Sequence, residues 1–162
     1  MKNYRPASNL SFLSKVTDKI VLSQLSTYLN ANKLFPVSQS AYRPGNSTET
    51  ALLKLMNDVL HALDNSDAYL LTLLDLSAAF DTIDHNILLQ RLEHLYGISG
   101  TPLNWFRSCL SNRTQVVIIN NKLSQPSMLK FGVPQGSVFG PILFILYTKP
   151  LITLIRQHSV AN

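Results

Sequence analysis

Cysteine is almost absent from this chain, and the one that occurs, Cys109, excludes an internal disulfide and any multi-cysteine zinc site. It stands among Trp105, Phe106 and Leu110, which predicts a buried thiol rather than a nucleophile. Histidine is sparse and scattered (His61, His85, His94, His158), with no pair at metal-ligand spacing, so a histidine-based metal hydrolase is disfavoured. Charge is lean at 14% of residues. No apolar run is long enough to cross a bilayer; the most apolar stretch, Pro141 to Ile155, is short and interrupted by Lys149 and Pro150. The opening Met1-Lys2-Asn3-Tyr4-Arg5-Pro6 is polar and does not read as a signal peptide, so the expected address is intracellular, cytoplasm or nucleus, with no membrane. Repeats, low-complexity tracts and linkers are missing.

What is present is a 162-residue chain, 46% hydrophobic, enough for one domain with a core. The formal net charge of +5 points to an anionic partner such as nucleic acid. The most informative stretch runs from Leu70 to His85. Its apolar opening, Leu70-Leu71-Thr72-Leu73-Leu74, predicts a buried strand that ends in the carboxylate of Asp75. Such a carboxylate needs a partner, because desolvation disfavours the charged form. Asp75, Asp81 and Asp84 lie close in sequence, and two readings of them stay open: ligands of a cation, or solvated and helix-capping acids.

Around this stretch the chain reads as helix-rich. An amphipathic helix is expected over Ser11 to Leu29, with Val16, Ile20, Leu25, Tyr28 and Leu29 on one face. A second helix, capped by Ser47, covers Thr48 to Leu63 with Leu52, Leu55, Val59 and Leu63 inward. A third, capped near Asp84, runs to Tyr96 with Gly97 as its C-cap, and a fourth, with Thr101 as its N-cap and Pro102 at its first helical position, runs to about Leu110. Val116 to Ile119 is a strand, Asn120-Asn121 a turn, and Ser127 to Phe131 pairs back as a hairpin. A glycine- and proline-rich loop, Gly132 to Pro141, precedes a deeply buried last helix starting at Ile142 to Leu146. The fold class is α+β, with a small antiparallel sheet.

Four segments carry a resemblance. Leu73 to His85 resembles the first catalytic motif of reverse transcriptases of non-LTR (LINE-type) retrotransposons. Gly132-Val133-Pro134-Gln135-Gly136-Ser137 with Gly140-Pro141 resembles their second palm motif. Gln39 to Gly45 with Ser47-Thr48-Glu49 is similar to a fingers motif, and Asn3-Tyr4-Arg5-Pro6 to the start of the fingers. The order is that of the family and spans nearly the whole chain. The resemblance implies a partial right-hand polymerase fold: one truncated reverse transcriptase domain over 1–162, with fingers elements at about 1–66 and palm elements at about 67–162. One feature departs from it. The family's third palm motif carries two adjacent aspartates, and no such pair occurs between Met1 and Asn162, so the expectation is a fragment that stops before that motif and is inactive alone.

By the same resemblance, Asp75 is the catalytic first-motif acid and, with the carbonyl of Leu76, a ligand of Mg²⁺, a hard cation that takes oxygen donors. Phe80 resembles the gate beside the sugar of the incoming nucleotide; read without the motif, it is core packing. Gln135 and Gly136 resemble the residues under the nucleotide and template base. Arg5 resembles the fingers cation that meets the triphosphate, against a reading as a solvated terminal charge. Arg43 is expected at template or primer phosphate. Asp84 and His85 are expected to cap and orient the following helix, and Asp81 is not taken as a ligand. The implied partners are an RNA template, a DNA primer and deoxynucleoside triphosphates. An apolar patch left by the absent hairpin favours self-association. The competing readings are a non-catalytic nucleic-acid-binding remnant and a nonfunctional transposon relic.

Overall fold

Ser11 is the first residue to declare itself structurally. In extended conformation, its hydroxyl accepts the amide of Ser14 at 3.2 Å and starts α1 (Phe12–Ala31). The computed structural model of the chain describes residues 8–36, 39–76, 78–134 and 136–158. Among them, α2 (Thr48–Asp64), α3 (His85–His94), α4 (Gly100–Leu110) and α5 (Gly140–His158) follow α1, with short strands β1 (Thr114–Gln115), β2 (Ile118–Ile119), β3 (Lys122–Leu123) and β4 (Ser127–Met128) between α4 and α5. The chain divides into two units, Met1–Phe35 with Ala78–Asn162, and Pro36–Ser77. Among the described residues no helix is long and apolar enough to cross a membrane.

The larger unit holds the core. α3 packs on both α4 and α5. Leu88, Leu92 and Tyr96 from α3 and its end meet Leu103, Phe106 and Leu110 of α4 and Ile142, Leu143 and Leu146 of α5, all buried. The expected buried start of the last helix is found. α1 joins this core through Leu25 and Leu29, with Val21 and Leu22 half-buried beside them. Val16 and Ile20, expected on the same face, are exposed instead. At about 100° per residue they lie on the opposite side of α1 from Leu25 and Leu29. The inward stripe is 18, 21, 22, 25 and 29, and it contains a buried acid, Asp18.

The ends of α3 and α5 are tied by polar groups. Gly97, at φ +66°, donates its amide to Glu93, as expected for a helix stop. Tyr28 donates its hydroxyl to the carbonyl of Tyr96 at 2.8 Å. Pro150 lies inside α5 and offers no amide to the carbonyl of Leu146. The hydroxyl of Tyr96 donates to that carbonyl at 3.1 Å. α4 begins at Gly100 after Ser99, so Thr101 and Pro102 occupy its first turn rather than its cap.

The hairpin forms with a break. β1 pairs with β4 and β2 with β3, both antiparallel, around Asn120 and Asn121, which both have positive φ. Between the pairs, the hydroxyl of Ser124 accepts the amide of Val117 at 3.0 Å in place of a backbone carbonyl. Val116 to Ile119 is therefore interrupted rather than one strand.

In the smaller unit, Ser47 and Thr50 cap α2 reciprocally, each side chain accepting the other's amide, at 3.2 and 2.9 Å. Ser47 also holds the Glu49 carboxyl below its usual range. Of the residues expected inward, Leu55 and Val59 are half-buried, whereas Leu52 and Leu63 are exposed. The more covered stripe is 51, 55, 59 and 62, one position round the helix.

Candidate active site

The segment after the apolar run is a sequence of turns. Ala78 takes φ +52° and accepts the amide of Asp81 at 2.8 Å; the hydroxyl of Thr82 donates to Ala79 at 3.2 Å. Ile83 is fully buried and fixes the far end. The carboxylate of Asp84 then accepts the amides of Asn86 and Ile87 at 2.8 and 3.0 Å, so this acid is a helix cap, as expected. The Phe80 ring is half-buried against Phe144, with centroids 5.3 Å apart. It is therefore a packing residue, whatever further role it has.

The glycine-rich loop is stitched to these turns. Phe80 accepts the amide of Val133 at 2.9 Å, and Ile83 that of Gly132 at 2.7 Å; Asp84 and Phe131 form an antiparallel bridge. His85 does not act on its own helix. Its Nε2 lies 2.7 Å from the carbonyl oxygen of Gly132, which can only accept, so Nε2 carries the proton. A side chain at Gly132 would be strained here. The glycine's φ is +87°, and a Cβ would stand 3.0 Å from the Cα of Asp81 and 3.1 Å from the carbonyl oxygens of Asp81 and Phe80. The two segments that resemble separate motifs are thus one backbone-bonded element.

The loop is held at its other end too. Gly136, at φ +98°, would bring a Cβ to 3.7 Å from the carbonyl oxygen of Ser8. The amide of Ser137 closes a turn onto Pro134 at 2.9 Å, and its hydroxyl donates to the carboxylate of Asp18 at 3.2 Å, both side chains buried. Phe139 packs edge-on against Trp105 and Phe106, with centroids 5.7 and 6.3 Å away. Gln135 and Arg5 lie outside the described residues.

Asp75 and Leu76 belong to the smaller unit. The expectation of a buried strand before them is overturned. Residues 67–76 form no strand, Asp75 is exposed, and Leu70, Leu73 and Leu74 are 90%, 81% and 69% exposed. An apolar run becomes a buried strand only when neighbouring strands complete its hydrogen bonds, and the described strands pair among themselves in the hairpin. The Asp75 carboxylate and the Leu76 carbonyl are oxygen donors of the kind Mg²⁺ takes. One carboxylate falls short of what two divalent ions require, and among the described residues no group of three or more His, Cys, Asp or Glu could hold a metal. The residues described do not amount to a two-cation site.

Arg43 is half-buried at a turn closed by the amide of Asn46 on its carbonyl at 3.2 Å, beside Tyr42 at φ +58°. Cys109 is half-buried, and burial, the largest influence, pushes its thiol up, which agrees with a packing role. Two contributions escaped the sequence reading. Asp18 carried a visible signal, an acid inside an apolar helical stripe. The His85 bond to Gly132 spans 47 residues and left none.

Comparison with known proteins bears on these motifs. Residues 1–161 match the family described as reverse transcriptase (RNA-dependent DNA polymerase). In Drosophila melanogaster, the probable RNA-directed DNA polymerase from transposon BS is 31% identical over 153 residues, covering 93% of this chain and 16% of that protein. The RNA-directed DNA polymerase from mobile element jockey, of the same species, shows 31% identity over 153 residues with the same coverage. The probable RNA-directed DNA polymerase from transposon X-element, also of this fly, is 29% identical over 164 residues, covering 99% of this chain and 18% of that protein. The chain therefore spans about a sixth of the length of the curated relatives it matches.

Proposed function

Because the chain belongs to the reverse transcriptase family, as a domain fragment of the non-LTR retrotransposon type, we propose that it is a fingers and partial palm segment of an RNA-directed DNA polymerase. In this reading it binds an RNA template, a DNA primer and a deoxynucleoside triphosphate inside the cell. Phe80, Gly136 and Gln135 contact the nucleotide, Arg5 meets its triphosphate, and Arg43 meets template or primer phosphate. Asp75 and the Leu76 carbonyl contribute to Mg²⁺ binding only where further acids join them. The observation that carries the reading is the pair of backbone hydrogen bonds from Gly132 and Val133 to Ile83 and Phe80. It ties residues 80–83 to the start of the loop at Gly132, parts of the two segments that this reading places at the nucleotide, whose positioning depends on groups held together.

The chain alone, with one first-motif carboxylate and no adjacent aspartate pair, binds nucleic acid without extending a primer. The test is primer extension on an RNA template with Mg²⁺ and deoxynucleotides, beside a binding assay with the same duplex. Binding without extension is expected. Extension that disappears in Asp75→Ala would show that the chain completes its own site. Absence of nucleic-acid binding would remove the reading altogether. The +5 net charge also favours a non-catalytic nucleic-acid-binding remnant. That reading gains if RNA binding is salt-dependent, unchanged in Asp75→Ala, and indifferent to deoxynucleotides.

A further inference from the structure

Asp18 is a buried carboxylate that the proposed chemistry does not use. It sits on the inward stripe of α1 with Val21, Leu22, Leu25 and Leu29. A carboxylate in such surroundings is costly to desolvate, and an apolar residue of similar size would fit the stripe without that cost. What the acid has that a leucine lacks is an acceptor. Its Oδ2 receives the hydroxyl of Ser137, 119 residues further along the chain, in the loop that begins at Gly132.

That loop has two anchors of different kinds. Its start is held through its own backbone groups: the amides of Gly132 and Val133 on the turns at 80–83, and the Gly132 carbonyl under the His85 ring. Its far side, past Gly136 at φ +98°, is held by the Ser137 hydroxyl on Asp18 and by Phe139 against Trp105 and Phe106. The aromatic contact fixes depth but not rotation. A hydrogen bond from the residue directly after Gly136 fixes how the Gly136 backbone is turned, because rotating that peptide would draw the hydroxyl off the carboxylate.

We propose that Asp18 is a positioning residue: through Ser137 it sets the conformation of the loop at Gly136, the part of the chain assigned above to the nucleotide. The loop-setting role stands on the geometry alone, and its consequence for nucleotide binding rests on the proposed function. A substitution that keeps an acceptor, Asp18→Asn, should preserve the loop. Asp18→Leu, which removes acceptor and charge together while filling the space, should release it, and so should Ser137→Ala.

Amide hydrogen exchange on the full chain separates positioning from bulk stability. In Asp18→Leu and Ser137→Ala, exchange at Gly136 to Phe139 should rise at least tenfold, while Leu88 to Leu92 and Leu143 to Leu146 keep their wild-type rates. Asp18→Asn should restore the loop to within threefold of wild type. Loop exchange that does not change, or that rises equally in the helices, overturns the proposal, as does failure of Asp18→Asn to rescue. A fluorescent deoxythymidine triphosphate, titrated with primer–template and Mg²⁺, supplies the second reading. If the loop is released and affinity falls at least fivefold, both assignments stand. If the loop is released and affinity is unmoved, Asp18 still positions the loop, and the nucleotide assignment is what fails.

Discussion

The hydroxyl of Tyr96 donates to the carbonyl of Leu146, the group that Pro150 leaves without an amide donor four residues on. A proline inside a helix normally exposes or kinks that turn. Here the vacancy faces α3, Leu146 is fully buried, and the phenol at the end of α3 fills it. Removing the hydroxyl strands a buried carbonyl, which costs about 1–3 kcal/mol. Tyr96→Phe should therefore lower stability by that amount in chemical denaturation. In a Pro150→Ala background residue 150 regains an amide, so the same change should cost less than about half as much. Equal costs in both backgrounds would mean that the phenol does not serve the proline.

The same tyrosine gives a pH dependence. Burial, opposed in part by the charge of Arg91, pushes its phenol above the ordinary value of 10.0. Below that value the group is protonated folded and unfolded, and it adds no pH dependence. Above it the unfolded chain loses the proton first, so stability falls as pH rises. Denaturation midpoints measured from pH 8 to 11 should decline at the alkaline end in wild type, and decline less in Tyr96→Phe.

Gly132 and Gly100 both have positive φ, but only Gly132 has backbone within reach of a Cβ. Gly100→Ala should cost the conformational penalty alone, about 1–2 kcal/mol. Gly132→Ala adds a collision with the Phe80 and Asp81 backbone, which cannot swing aside as a side chain could. Its cost should exceed that of Gly100→Ala by at least about 1 kcal/mol. Similar midpoints for the two variants would show that the turns at 80–83 yield easily, and that the joined element is soft.

How much of this could be read from residue order depends on what each feature requires. The caps at Ser47 and Asp84 and the stop at Gly97 were legible, because a cap is decided by a few adjacent residues. The inward faces of α1 and α2 were not. In a chain so rich in apolar residues several stripes compete, and only the partner selects among them. The strand at Leu70–Leu74 failed for a stronger reason: its hydrogen bonds must come from other strands, which no local pattern supplies. At the candidate site, Phe80 and Gly136 are singled out by motif order alone, whereas the bonds that join their segments cross 49 and 53 positions and left no local trace.

Arg43 is assigned to a phosphate, and a phosphate contact has a signature distinct from base recognition. Arg43→Ala should weaken binding to RNA of any sequence by a similar factor, and should reduce the slope of log affinity against log salt by about 1. A sequence-dependent loss with an unchanged slope would place the guanidinium elsewhere.

Exposed Asp75 and half-buried Phe80 should separate cleanly in stability. Asp75→Ala touches no packed group and should move the denaturation free energy by less than about 0.5 kcal/mol. Phe80→Ala removes a ring from Phe144 and the adjacent core, and should cost about 2 kcal/mol. If Asp75→Ala is as damaging as Phe80→Ala, the carboxylate holds structure rather than waiting for a cation.

The apolar run at Leu70 to Leu74 presents its side chains to water, with Leu70, Leu73 and Leu74 the most exposed. Contiguous apolar surface of this kind lowers its free energy by finding cover, roughly 25 cal/mol for each Å² removed from water. At raised concentration, cover comes from another molecule. The chain should therefore bind a hydrophobic dye and show a mass above that of a monomer in light scattering, increasingly so with concentration. Leu70→Lys with Leu73→Lys should reduce both effects, since a charge at each position makes the same contact costly to desolvate. A wild-type chain that stays monomeric and leaves the dye unbound would mean that the run is covered in solution, and that its exposure is not what drives association.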